Sequence, residues 1–271
     1  TKTRQRLDMT ALPDPSTPLN EADATEAFRA ILDGAANDEG IASSLGGMTE
    51  RGETASETAA AAQEMRRRMI PVTAPANAID VCGTGGDGQH TLNISTAVAI
   101  VVAACGVPVA KNGNRAASSK AGTADTLEAL GLDLDRASQK AEQSLAEIGI
   151  CFVFAQKHHP ALGRIAPIRR AIGKRTIFNL LGPLANPASV KRQLIGIARP
   201  AYVPIYAQAL GMLGIERAMI VSGDEGVDEL SLAGGNDIAE VNGDGIVAMR
   251  GITAAELGLR SAPIEALRGG D

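Results

Sequence analysis

From Ala78 onward the chain repeats one pattern, a short apolar run followed by a helical stretch. The runs are Ala78 to Cys82, Val107 to Ala110, Ile150 to Ala155, Leu194 to Ala198 and Ala218 to Ser222. Strands this short and apolar are buried on both faces, and strands that alternate with helices pair in parallel through helical crossovers. The expected fold is α/β, with a larger domain centred on a parallel sheet. Before Pro71 the pattern differs, because three helical segments follow one another. Asn20 can cap the first, Gly34 can stop it, and Thr54-Ala55-Ser56-Glu57 reads as a capping box that opens the third. Phe28, Ile31 and Leu32, then Ile41, Leu45 and Met48, recur at helical spacing and read as the core of a smaller all-helical domain. Gly46-Gly47 costs about 1 kcal/mol per glycine relative to Ala, unless another backbone approaches there, as at a helix crossing or a subunit contact.

In an open parallel sheet, ligands gather at the carboxyl ends of the strands. Three polar clusters follow predicted strands. Gly83-Thr84-Gly85-Gly86-Asp87 follows the first, and glycines let oxygens approach main-chain N–H groups, as in a phosphate-binding turn. An ordinary turn uses the same residues, so the next segment matters. Thr91, Asn93, Ser95 and Thr96 precede the apolar run Ala97 to Cys105, where the N-terminus of a buried helix would present hydroxyls and amides to an anion or a metal-bound water. The second cluster, Lys111 to Lys120, holds Lys111, Asn112, Asn114, Arg115, Ser118, Ser119 and Lys120 around Gly113, an inventory suited to oxyanions or to a basic surface loop. The third is Asp228-Glu229. Adjacent carboxylates are common on surfaces, but a phosphate site needs hard oxygen ligands for Mg²⁺.

Composition excludes several classes. Formal charge is −5, aromatic residues are 2% and Trp is absent, so stacking platforms for bases are nearly absent and the balance of charge also counts against nucleic acid, the cations clustering in a pocket instead. Hydrophobic residues at 45% of 271 supply a large core built from Ala, Ile, Leu and Val. Cys82, Cys105 and Cys151 lie in apolar runs without metal-ligand spacing and read as buried free thiols of a reducing cytosol. No signal peptide and no long apolar span points to secretion or a membrane. The expected location is the cytoplasm. Leu12 to Pro18, with three prolines, reads as an arm.

Gly83-Thr84-Gly85-Gly86-Asp87, Asn93-Ile94-Ser95-Thr96, Lys111 to Ser119, His158-His159-Pro160-Ala161, Arg175 to Pro187 and Asp228-Glu229 resemble, in order and spacing, the anthranilate phosphoribosyltransferase family. The resemblance runs from roughly Leu19 to the end of the chain. It implies a nucleoside phosphorylase/phosphoribosyltransferase-like fold, with a helical domain over 1–72 joined by about 160–180, and an α/β domain over 73–159 and 181–271. The implied reaction moves the phosphoribosyl group of phosphoribosyl pyrophosphate (PRPP) to the amine of anthranilate, in tryptophan biosynthesis. Carbon–oxygen cleavage leads, so the site manages charge and needs no covalent nucleophile.

By the same resemblance, PRPP would contact Gly83, Gly86, Asp87, Thr91, Asn93, Ile94, Ser95, Thr96, Lys111, Asn112, Gly113, Asn114, Arg115, Ala116, Ala117, Ser118, Ser119 and Thr123. Anthranilate would contact Gly83, Asn114 and Arg169, a guanidinium being the natural partner of a carboxylate. Mg²⁺ would be held by Ser95, Asp228 and Glu229. Arg169-Arg170 also fits solvated surface, and His158 and His159 read as loop or packing residues. A homodimer through the helical domain is implied. Two departures stand out. Asn112 occupies a position where the family has histidine, and members continue for several dozen mostly helical residues beyond Asp271. Two rivals share parts of the pattern: a pyrimidine-nucleoside phosphorylase-like enzyme, and a non-enzymatic nucleic-acid-binding relative that would lack the metal carboxylates.

Overall fold

The computed structural model describes residues 10–116, 122–243 and 245–269; Ala117, Ser118 and Ser119 of the basic cluster lie outside them. The chain begins with three capped helices, α1 (Glu21–Asp33), α2 (Asp38–Arg51) and α3 (Ala55–Arg66). The Asn20 side chain accepts the Asp23 N–H at 2.9 Å, Gly34 stops α1 in the left-handed region at φ 76°, and Thr54 and Glu57 exchange their capping bonds. Phe28, Ile31, Ile41, Leu45 and Met48 are wholly buried. A Cβ on Gly47 would lie 2.6 Å from the Pro15 ring, so the arm, and no helix crossing, uses that gap; Gly46 has no neighbour within 4 Å.

The remaining elements are β1 (Ile79–Gly83), α4 (Ile94–Ala104), β2 (Val109–Gly113), α5 (Thr123–Ala129), α6 (Leu134–Gln139), α7 (Ala141–Ile148), β3 (Ile150–Phe154), α8 (Ala155–His158), α9 (Leu162–Ile172), β4 (Arg192–Gly196), α10 (Val203–Met212), β5 (Arg217–Gly223), β6 (Gly235–Asn242) and β7 (Gly245–Thr253). The sheet order is β3-β2-β1-β4-β5-β6-β7. The first five strands pair in parallel and the last two antiparallel. From β1 the chain steps outward through β2 to β3, then returns to the other side of β1 as β4. That reversal opens a crevice at the carboxyl ends of β1 and β4.

Between β3 and β4 the chain visits the helical unit. Ile165 and Ile168 of α9 join the core of α1, α2 and α3, and Phe178 meets Phe28 edge to face at 6.2 Å. The return runs through short 3₁₀ turns at Ile177–Asn179 and Pro183–Ala185. It is pinned by Arg66 Nε donating to Leu184 O at 2.7 Å and Tyr206 Oη donating to Leu180 O at 2.6 Å. One apolar core therefore runs from Phe28 through Leu181 and Leu184 to Leu210 and Ile220.

The structure differs from the sequence reading in four places. Lys111, Asn112 and Gly113 form the end of β2 rather than a loop, because they pair in register with Phe152, Val153 and Phe154. The β6–β7 hairpin was not anticipated. The helix α4 was expected to be buried, yet only Thr96 and Ala99 are, and Ile100 and Val101 are 51% and 61% exposed because nothing among the described residues covers its outer side. Cys105, at the end of that helix, is exposed accordingly, while Cys82 and Cys151 are buried.

Candidate active site

Asp228 is seated in the crevice between β1 and β4, and two glycines make room for it. A Cβ on Gly83 would lie 2.2 Å from Asp228 Oδ2, and one on Gly196 only 1.6 Å from the Asp228 carbonyl oxygen. Asp228 Oδ2 also accepts the Gly85 N–H at 2.7 Å, which ties the carboxylate to the glycine loop after β1. Burial first, then the neighbouring Asp87, pushes the Asp228 carboxyl up to about 6. Burial and then Asp228 push Glu229 up to about 8, against the attraction of Lys111 and a bond from the Ser95 backbone. Three acidic side chains thus share one poorly solvated end of the site, which favours a cation or a proton there.

Lys111 reaches the same end from β2. It is 2% exposed, and Nζ donates to Val81 O at 2.7 Å and to Ser95 Oγ at 3.2 Å. The strand end that carries it is held from below by buried Asp80, which accepts the Asn112 N–H at 3.0 Å and the Asn186 amide at 2.8 Å. Burial raises the Asp80 carboxyl, and Lys111 and these donors oppose the rise. The Asn112 amide donates to Gly182 O at 2.8 Å, while its Oδ1 is buried without a partner among the described residues.

At the start of α4, Thr96 Oγ1 donates to Asn93 Oδ1 at 2.6 Å and lies 3.5 Å from Thr123 Oγ1. Asn114 Oδ1 accepts the Arg115 N–H at 2.8 Å and the Gln156 side-chain amide at 3.2 Å. The Arg115 guanidinium pairs with Asp125 at 2.9 Å and Glu128 at 2.8 Å, so its charge is partly engaged by α5.

These groups converge on one cavity of about 300 Å³. Its wall includes Gly83, Gly86, Asp87, Thr91, Asn93, Ile94, Ser95, Lys111, Asn112, Gly113, Asn114, Arg115, Ala116, Thr123, Asp228 and Glu229. Thr96 stands just behind it. Arg169 faces this set from the helical side, with Nη2 donating to Asn179 Oδ1 at 3.2 Å and the guanidinium 5.8 Å from the Phe178 ring centre. Burial lowers the Arg169 pKa, although a guanidinium stays charged.

Sequence reasoning missed Met65, Phe178, Asn179, Gly182 and Pro183, which close the cavity from the helical side. Phe178, Asn179, Gly182 and Pro183 fall in the Arg175 to Pro187 block, whose glycine and two prolines signal a turn, while Met65 on α3 carried no signal. His159 also lines the cavity, but Nε2 lies 2.8 Å from Ala185 O and burial pulls the imidazole down to about 4, so it stays neutral and packs. Among the described residues no three His, Cys, Asp or Glu side chains form a metal cage by themselves.

Comparison with known proteins agrees with this geometry. Residues 15–69 match the glycosyl transferase family helical bundle domain, and residues 75–271 the glycosyl transferase family a/b domain. Anthranilate phosphoribosyltransferase of Novosphingobium aromaticivorans is 68% identical over 263 residues, covering 97% of this chain and 79% of the relative. That of Rhodospirillum rubrum is 52% identical over 254 residues, covering 94% and 73%. The crystal structure of the Thermus thermophilus enzyme superposes with a TM-score of 0.89 at 42% identity, covering 97% of this chain and 78% of that one. The Saccharomyces cerevisiae enzyme in complex with PRPP and Mg gives 0.82 at 28% identity, covering 93% and 73%. With both domains matched in order and near-complete coverage at high identity, the chain is a glycosyltransferase that belongs to the anthranilate phosphoribosyltransferase family.

Proposed function

We propose that this cavity transfers the phosphoribosyl group of PRPP to the amine of anthranilate, giving N-(5-phosphoribosyl)anthranilate and pyrophosphate. The observation that carries the reading is the meeting, in one cavity, of a glycine loop, a buried lysine and paired carboxylates on the sheet side with Arg169 on the helical side. The PRPP phosphates would lie against Gly86, Asp87, Asn93, Ser95, Thr96 and Lys111, and along the segment from Asn114 to Thr123. Arg169 would take the anthranilate carboxylate in a charge-assisted bond and turn the amine toward C1 of the ribose, with Asn114 alongside.

Ser95, Asp228 and Glu229 suit Mg²⁺, because two carboxyls raised by burial and by neighbouring carboxylates, with the Ser95 hydroxyl on the Lys111 ammonium at the same end, are hard oxygen donors. When bound, the ion neutralises charge on the leaving pyrophosphate. Lys111 adds fixed positive charge at the same end, and the loop N–H groups stabilise the departing oxygens. No side chain need act as a covalent nucleophile, since the arylamine itself attacks. With a helical domain over 1–72 and about 160–180, and an α/β domain from the rest, PRPP would lie on the α/β wall and the anthranilate carboxylate would face the helical one. A homodimer through the helical unit and a cytoplasmic location complete the proposal. The free thiols suit a reducing compartment, and light scattering checks the dimer.

Anthranilate fluorescence tests the reading directly. It should decay when the purified chain is given PRPP and Mg²⁺, and hold steady in excess chelator. Undiminished turnover in chelator would remove the metal from the scheme, and no turnover with Mg²⁺ present would remove the reaction.

A further inference from the structure

Arg175 is absent from the substrate contacts assigned above, yet it reaches across from the helical side to the glycine loop. Its Nη1 lies 3.1 Å from Gly86 O and 3.3 Å from Gly85 O, so one nitrogen bridges two successive carbonyls. The loop is gripped on its other side as well, since the Gly85 N–H donates to Asp228 Oδ2 and the Thr84 N–H to Gly196 O at 2.9 Å. Gly85 and Gly86 both adopt left-handed backbone, with φ 67° and 75°. Such a loop has many accessible shapes when free, because glycine restricts neither dihedral.

The peptide unit is planar and trans, so the carbonyl of one residue and the N–H of the next point in opposite directions. Drawing the carbonyls of Gly85 and Gly86 toward Arg175 turns the N–H groups of Gly86 and Asp87 away from it. Those two N–H groups meet no acceptor among the described residues, and both residues line the cavity. Arg175 is itself fixed. It follows α9, and the next residue, Thr176, donates its N–H to Asn179 Oδ1 at 3.0 Å, the oxygen that also receives Arg169. Its charge faces Asp228, Glu53 and Tyr202, with Arg199 opposing.

We propose that Arg175 is a positioning residue for the phosphate loop, holding the Gly85 and Gly86 carbonyls outward so that the Gly86 and Asp87 N–H groups are aimed at a phosphate or diphosphate before it arrives. This rests on the functional reading above and adds to it a cause for the loop's shape. Because a single nitrogen makes both bonds, a lysine ammonium can replace it in part, whereas methionine keeps the apolar stem and loses the donors.

The test compares the parent chain with Arg175→Met and Arg175→Lys. Calorimetric binding of Mg²⁺–PRPP and of Mg²⁺–pyrophosphate, steady-state constants for both substrates, and melting temperature are measured. Arg175→Met is expected to raise the PRPP KM and weaken pyrophosphate binding about tenfold, equivalent to about 1.4 kcal/mol, with the anthranilate KM within about twofold. Arg175→Lys is expected to recover at least half of that loss. PRPP constants within twofold of the parent, an equal rise in both KM values, or a lysine variant no better than methionine would each overturn the proposal. Should Arg175→Met melt early, the lysine variant supplies the comparison on folded protein. A parent chain that binds neither PRPP nor pyrophosphate would instead overturn the functional reading, and the loop assignment with it.

Discussion

Gly196→Ala should disable the site although Gly196 is not part of the cavity wall. The new Cβ would lie 1.6 Å from the Asp228 carbonyl oxygen and 2.6 Å from its carbon, against 3.4 Å for the nearest ordinary contact. The obstacle is backbone, so no rotamer change relieves it. Either β4 separates from β1, to which Gly196 is paired through Gly83, or the loop carrying Asp228 and Glu229 moves outward by most of the missing distance. The loop should yield first, because β4 is held between two parallel neighbours. Its movement breaks the Gly85–Asp228 bond and displaces both carboxylates. A misplacement of about 1 Å costs about 100-fold in rate, and overpacking costs about 1–3 kcal/mol. At about 2–4 °C per kcal/mol for a chain of this size, the melting temperature should fall by roughly 2–12 °C. The assay is fluorescence turnover across a Mg²⁺ titration, paired with thermal denaturation. Gly46→Ala serves as control, since nothing lies within 4 Å of its Cβ and a helical alanine should be neutral or gain up to about 1 kcal/mol. A Gly196→Ala protein with turnover and Mg²⁺ response within threefold of the parent would refute the crowding argument.

Other expectations follow from single groups. Asp228→Asn with Glu229→Gln should lower kcat about 10²- to 10³-fold while leaving the metal-free melting temperature equal or higher, since both carboxyls are raised by burial and their charges oppose folding; normal activity would mark the pair as decoration. Arg169→Ala should raise the anthranilate KM far more than the PRPP KM, a charge-assisted carboxylate bond being worth about 1.5–3 kcal/mol, as steady-state kinetics with each substrate varied will show. Asn112→His should raise efficiency toward anthranilate and add a pH dependence near the imidazole range. It should also cost about 1–3 kcal/mol by overpacking, because Asn112 is buried in β2; unchanged pH profiles and melting would show the position to be neutral. The lowered His159 pKa also sets a pH trend. The folded imidazole titrates near 4 and the unfolded one near 6.5, so its contribution is complete above 6.5 and is lost as pH falls toward 4, by about 3 kcal/mol. Urea denaturation between those pH values should show that loss, and His159→Gln should flatten it.

The five parallel strands were legible because strands buried on both faces must be apolar throughout, a signal that needs no partner to be seen. The Lys111–Gly113 end of β2 was not, because its side chains serve the cavity and look like a loop, while register with Phe152 and Phe154 is invisible in one sequence. The β6–β7 hairpin did carry a local signal, Asn242-Gly243-Asp244-Gly245, that the alternation argument passed over. Sheet-side site residues were legible because glycine, lysine and paired carboxylates cluster after strands. From the helical side only Arg169 was anticipated, and through the family resemblance rather than a local signal. Arg175 and Gly182 act through contacts with residues about 70–90 positions away, and no spacing rule reaches that far. The exposed face of α4 defeated the burial expectation because composition reports how apolar a helix is, not whether anything lies against it.

The excursion of α9 into the helical unit has a consequence for how the chain is made. Helices α1, α2 and α3 leave the ribosome well before α9, yet the groove they form is filled by Ile165, Ile168 and Phe178. Elongation runs at about 5–20 residues per second, so the roughly 100 residues from Met65 to Ile165 impose a wait of about 5–20 s. Throughout that interval three finished helices carry an apolar seam with no cover, while three strands of the sheet are still being added behind them. Helices α1, α2 and α3 are thus made roughly 100 residues ahead of the segment that seals them, which leaves this nascent apolar seam open to chaperone capture.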